Sequence, residues 1–204
     1  GQGEDLSRLG WLKDVGELTL VGPQVTDDWL QHVPKSGVPM TLTINRAKIT
    51  ERGIKHLADA RSLQVLSLLY VPIGDEAVPA LQQVAGVGKM RIYGSRITRP
   101  GVERLREALP GTEVDFRLGA FLGVGCQSSA DGCVIFTVRP GTAAAKAGLQ
   151  PQDVIFEYDG QPVKEFEVLT ALISEDRSGD TVTIKIRRGN NEKAIRVTLG
   201  EADQ

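Results

Sequence analysis

His32, His56, Cys126 and Cys133 are the residues of this chain whose types best suit a base, a nucleophile or a metal ligand. The histidines lie 24 residues apart, so they stack if that spacing is a structural period. A zinc site needs three or four ligands, and no third ligand recurs with them. Leu30, Val33, Ile54 and Leu57 beside them are apolar, which turns both imidazoles onto the solvated face of their helices. Neither histidine has a nucleophile beside it, so a Ser-His-Asp arrangement finds no support. The cysteines flank a short polar loop, 127–132, that contains the turn pair Asp131-Gly132. Facing each other across a hairpin, they suit one bridge in an oxidising compartment or, more simply, two small apolar positions at strand ends. Gly123-x-Gly125 opens no helix and so gives no phosphate-binding loop. The expectation is a chain without catalytic, metal or cofactor chemistry.

The elements that position these residues follow from a repeat of 24 residues without insertions. Leu18, Leu42, Leu66 and Met90 form one column; Leu20, Ile44, Leu68 and Ile92 form a second. Val25, Ile49, Ile73 and Ile97 form a third, Leu30, Ile54, Val78 and Val102 a fourth, and Val33, Leu57, Leu81 and Leu105 a fifth. With 41% apolar residues, one such column arises in only about 3% of random draws, so five are not chance. Each unit reads as a strand, a turn and a helix. Triplets such as Leu42-Thr43-Ile44 send their outer side chains inward, and Val25-Thr26-Asp27 or Ile49-Thr50-Glu51 then opens a helix with a Thr cap and an acid. Val114-Asp115-Phe116 supplies a fifth strand, and Pro79 should delay or kink the third helix.

The period resembles that of the leucine-rich repeat family over roughly residues 11–117, implying an α/β solenoid of about four repeats with a curved parallel sheet. The chain has Pro23, Ala47, Val71 and Ser95 where many such repeats carry Asn or Cys. The resemblance implies a concave protein-binding surface from the outward strand positions, chiefly Thr19, Thr43, Asn45, Ser67, Leu69, Arg91 and Tyr93.

From Gly119 the period vanishes. Phe121-Leu122-Gly123-Val124 leads into a strand and hairpin, then PGTAAAKAGL with QPQDVI, a helical stretch at 166–174, and two alternating strands around Gly189-Asn190-Asn191. This order resembles the PDZ domains of HtrA-type bacterial proteases over residues 119–200, a β-sandwich or barrel with two helices. Gln152 replaces the Gly common before the buried aspartate. The expected boundaries are 1–117 and 118–204, with no Ser-, Pro- or charge-rich linker between them.

The resemblance implies capture of protein or peptide C-termini, or extended segments, by strand addition. Phe121-Leu122-Gly123-Val124 matches the carboxylate-binding loop, where the N–H groups of Leu122, Gly123 and Val124 would converge on the anion. The strand from Val124 through Gly125 and Cys126 to Ser128 would pair with the peptide, and helix 166–174 would form the other wall. Leu169 and Leu172 are expected in the core, with Phe166, Thr170 and Ile173 towards the groove. Phe121, Val124, Thr170 and Ile173 would then make a pocket for an apolar terminal side chain, and Arg117 is a candidate for adding charge.

The net charge of −2 argues against a nucleic-acid partner, and no apolar run is long enough to span a bilayer. A chain opening at Gly1-Gln2-Gly3-Glu4-Asp5, without Met, reads as trimmed, so its lack of a leader pattern carries no weight. Residence in a bacterial envelope, or secretion, is implied by the HtrA resemblance alone. Three functions remain in view: a noncatalytic interaction module, the recognition part of a larger protease or other enzyme, and a structural scaffold assembled through the repeats.

Overall fold

The computed structural model describes residues 14–84 and 86–202, so the expectations for residues 1–13 lie outside it. The chain divides into two compact units, Gly1–Phe116 and Arg117–Gln204.

The first unit is a parallel sheet with short helices. Strands β1 (Glu17–Val21), β2 (Met40–Asn45), β3 (Leu63–Leu69), β4 (Lys89–Tyr93) and β5 (Glu113–Arg117) follow one another in chain order. The first three pairings are parallel, and the register sets Leu18 beside Leu42, Leu42 beside Leu66 and Leu66 beside Met90. The sequence period is therefore the cross-strand register. All five apolar columns are buried except at Leu18, which packs only partly on the core because β1 is an edge strand.

The connections are α1 (Asp27–Leu30), α2 (Glu51–Lys55), a 3-10 turn (Asp75–Ala77) running into α3 (Val78–Leu81), and α4 (Arg99–Ala108). Most are a single turn, shorter than the amphipathic pattern suggests, because the last apolar column needs only a return towards the sheet. His32 lies past the end of α1 and His56 is the C-cap of α2, so neither is inside a helix as expected. Pro79 sits in the first turn of α3, where its missing N–H has no intrahelical partner, and α3 accordingly starts late.

Adjacent turns are clasped by an acid. The Thr50 N–H and hydroxyl donate to the two Asp27 carboxylate oxygens at 2.7 and 2.6 Å. Thr98 donates to Asp75 in the same way, at 2.8 Å in both bonds. Both threonines also cap their own helices, accepting from Arg52 and Gly101. Gly53 and Gly101 leave the space for these carboxylates, since a Cβ at either would collide with the Asp27 or Asp75 side chain. The middle turn lacks the device: Gly74 has no hydroxyl, and its N–H donates instead to Glu76 at 2.7 Å.

The expected concave surface needs correction. Thr19 is exposed and Thr43, Arg91 and Tyr93 are half-buried, but Asn45, Ser67 and Leu69 are buried, at 7%, 2% and 3% exposure. Ser67 lies between Thr43 and Arg91, and Leu69 between Asn45 and Tyr93. At a strand spacing of about 4.8 Å the flanking rows cover these three positions, whereas Thr43 and Arg91, also on interior strands, are covered only in part.

The second unit is antiparallel. It contains β6 (Val124–Ser129), β7 (Gly132–Val138), α5 (Ala143–Lys146), β8 (Val154–Tyr158), β9 (Gln161–Pro162), α6 (Phe166–Ser174), β10 (Thr181–Arg188) and β11 (Asn191–Thr198). Strand order is β11-β10-β8-β7-β6, with β9 paired to β8, so β6 is an edge. Leu122, Ile135, Ile155, Leu169, Ile184, Ile186 and Val197 build the core. Asp153 is fully buried, and Arg188 clamps it through two bonds of 2.7 Å while Gln150 N–H adds a third at 2.8 Å.

Candidate functional site

The loop before β6 is held by its carbonyls. Phe121 exchanges two backbone bonds with Gly200, at 2.8 and 3.0 Å. The Leu122 carbonyl accepts from Ala144 in the first turn of α5, and the Gly123 carbonyl accepts from Arg139, both at 2.9 Å. The Leu122 side chain anchors the loop in the core at 2% exposure. With the carbonyls turned to the body of the unit, the N–H groups of Leu122 and Gly123 donate to no backbone carbonyl among the described residues. Two conditions make residue 123 glycine: its φ is +89°, and a Cβ would run into the Thr142 side chain. Thr142 is fixed in turn, its hydroxyl donating to the Arg139 carbonyl at 2.7 Å.

Beyond the loop, β6 pairs only with β7. Val124 opposes Val138 and Gly125 opposes Thr137; after an irregularity, Cys126 opposes Ile135 and Ser128 opposes Cys133. Gly125 carries no side chain, and a Cβ there would collide with the Thr137 methyl and the edge of the Phe136 ring, which is 60% exposed. Cys126 and Cys133 are both buried free thiols and are not register partners, so the single bridge is absent and the apolar reading holds. Burial pushes the Cys126 thiol up to about 12 and raises Cys133 as well.

Helix α6 is tied to this strand by its first residue, the Phe166 N–H donating to the Ser128 hydroxyl at 2.9 Å. Leu169 is fully buried, while Phe166, Leu172 and Ile173 pack partly on the core. Thr170 is exposed, and its hydroxyl donates to the Glu167 carbonyl. Val124, Phe166 and Ile173 all pack partly against the same core cluster. Phe121 stands outside that core cluster and has the Arg139 guanidinium over its ring, 5.7 Å from the centroid. Sequence reasoning placed Ser128 on the peptide-pairing strand but missed its bond from Phe166, and it gave Arg139 no role at this site. Arg139 precedes a Pro-Gly turn and is 18 residues from Phe121 in the chain, so no local pattern marks it.

Among the described residues no three His, Cys, Asp or Glu side chains gather as metal ligands, and no helix is long and apolar enough to cross a membrane.

Residues 120–199 match the family model of the PDZ domain. The chain is 30% identical over 118 residues to the magnetosome formation protease MamE of Paramagnetospirillum magneticum, covering 58% of this chain and 14% of that protein. It is 28% identical over 103 residues to the periplasmic serine endoprotease DegP of Escherichia coli K12, covering 50% of this chain and 21% of DegP. The chain therefore spans a small part of these curated relatives. Among solved structures, the HtrA3 PDZ domain bound to the phage-derived ligand FGRWV is similar at 17% identity and a TM-score of 0.37, over 41% of this chain and 86% of that one. The second unit is a PDZ-like, β-rich domain that resembles those of HtrA-type proteases.

Proposed function

We propose that the second unit binds the C-terminus, or an extended segment, of a partner protein by adding it as a strand to β6. The observation that carries this reading is the edge position of β6, with α6 bonded beside it and a loop of unused N–H donors at its start. An edge strand offers a row of backbone donors and acceptors that an incoming peptide satisfies. Val124, Gly125 and Cys126 supply the main-chain ladder, and Leu122 and Gly123 supply N–H groups to a terminal carboxylate. Phe121, Val124, Phe166 and Ile173 give an apolar wall, with Thr170 at its rim. The module acts without catalysis of its own.

The first unit, read as a leucine-rich repeat solenoid, offers Thr19, Thr43, Arg91 and Tyr93 as its accessible inner face for protein contact. A second reading is that the chain is the recognition part of a larger protease; it is supported by proteases of which this chain matches only 14% and 21%.

The test is a backbone NMR titration of the whole chain with short apolar-ended peptides, each as free acid and as amide. Shifts along 122–128 with the free acid alone support carboxylate-dependent strand addition. An unchanged spectrum with both forms removes the groove.

A further inference from the structure

Arg139 follows the last residue of β7 and is pinned to the loop by its own main chain, since its N–H donates to the Gly123 carbonyl at 2.9 Å. Its guanidinium lies over the Phe121 ring, 5.7 Å from the centroid. It forms no ion pair with any described residue, whereas Arg117, the cation singled out from sequence, already has other interactions. A ring face steers a guanidinium without consuming its hydrogen-bond donors, because the attraction is to the π quadrupole. The result is a planar cation with open donors beside a loop whose Leu122 and Gly123 N–H groups are also open. All three are donors, so the chemistry that completes them is an anion with two oxygens.

We infer that Arg139, seated on the Phe121 ring, is the charged partner of the ligand's terminal carboxylate and makes the site select free C-termini over amidated or internal segments. This rests on the strand-addition reading and adds to it a source of discrimination just past the end of β7, distant from the loop in sequence. The residue's two roles are separable. Any residue but proline at 139 keeps the N–H bond that shapes the loop, and only a cation supplies the charge.

The experiment is calorimetric titration of the full chain and its R139M and R139K variants with one apolar-ended pentapeptide, as acid and as amide, at low and high salt. Met keeps the aliphatic packing on Phe121 while removing the charge. R139M is expected to weaken the free acid roughly tenfold, to leave the amide unchanged and to flatten the salt dependence, with partial recovery in R139K. Equal weakening of both peptide forms would mean that Arg139 only props the loop, and would overturn the inference. So would a wild-type preference for the free acid that R139M leaves intact. A wild-type chain that binds neither form would remove the strand-addition reading itself, and this inference with it.

Discussion

At the scale of single residues, the second unit depends on a few positions whose chemistry is decided by what surrounds them. Gly123→Ala forces an L side chain to φ near +89° and into Thr142, so it should cost about 1–3 kcal/mol in urea unfolding and abolish any peptide-induced shifts at 122–128. Asp153→Asn breaks the clamp with Arg188 and Gln150 in a fully buried site and should cost about 2 kcal/mol by the same measurement. The thiols give a pH signature. Cys126 is held near 12 against an ordinary value of 9.0, and Cys133 moves the same way. The folded state therefore keeps protons that the unfolded state releases, and stability falls as pH rises from about 9 towards 12. Cys126→Ala should reduce that alkaline slope, and native thiols should resist alkylation at neutral pH until the chain is unfolded.

At the scale of elements, the clasp between successive turns reverses an ordinary rule. Gly→Ala inside a helix usually stabilises by about 0.5–1 kcal/mol. Gly53→Ala in α2 should instead lower the midpoint of thermal unfolding, because the new methyl takes the place of the Asp27 carboxylate. The clasp also titrates. Bonds from the Thr98 backbone and hydroxyl, with Arg104 nearby, hold the Asp75 carboxyl below its usual 3.8. Its contribution is complete above that value and lost as pH drops through the lowered one, so Asp75→Asn should make unfolding less acid-sensitive. The sequence period and the Thr caps marked where these turns begin. They did not reveal that Asp27 reaches Thr50 one repeat later, since that bond exists only once the strands are in register.

At the scale of the whole molecule, two hydrophobic clusters with no shared residue define the two units. Leu66→Ala, at a fully buried site in the first cluster, should cost about 2–5 kcal/mol, and hydrogen exchange should accelerate first within residues 14–116. The parallel sheet with helices was legible from its 24-residue period, and the β-rich PDZ-like unit from the resemblance carried by PGTAAAKAGL, QPQDVI and Phe121-Leu122-Gly123-Val124. Helix 166–174 and the strand opening at Val124 belong to the element order that carries that resemblance. Side-chain burial on the first sheet was not, because alternation assigns a face but not the height of neighbouring strands; Asn45, Ser67 and Leu69 are covered all the same. The unbridged cysteines, the Asp153–Arg188 clamp and the Arg139 guanidinium over Phe121 belong to the tertiary structure alone. Each joins groups whose separation along the chain carries no information about their distance in space. Local pattern determines which elements form and which way they face; only their packing decides which charges and donors are left open beside the β6 edge.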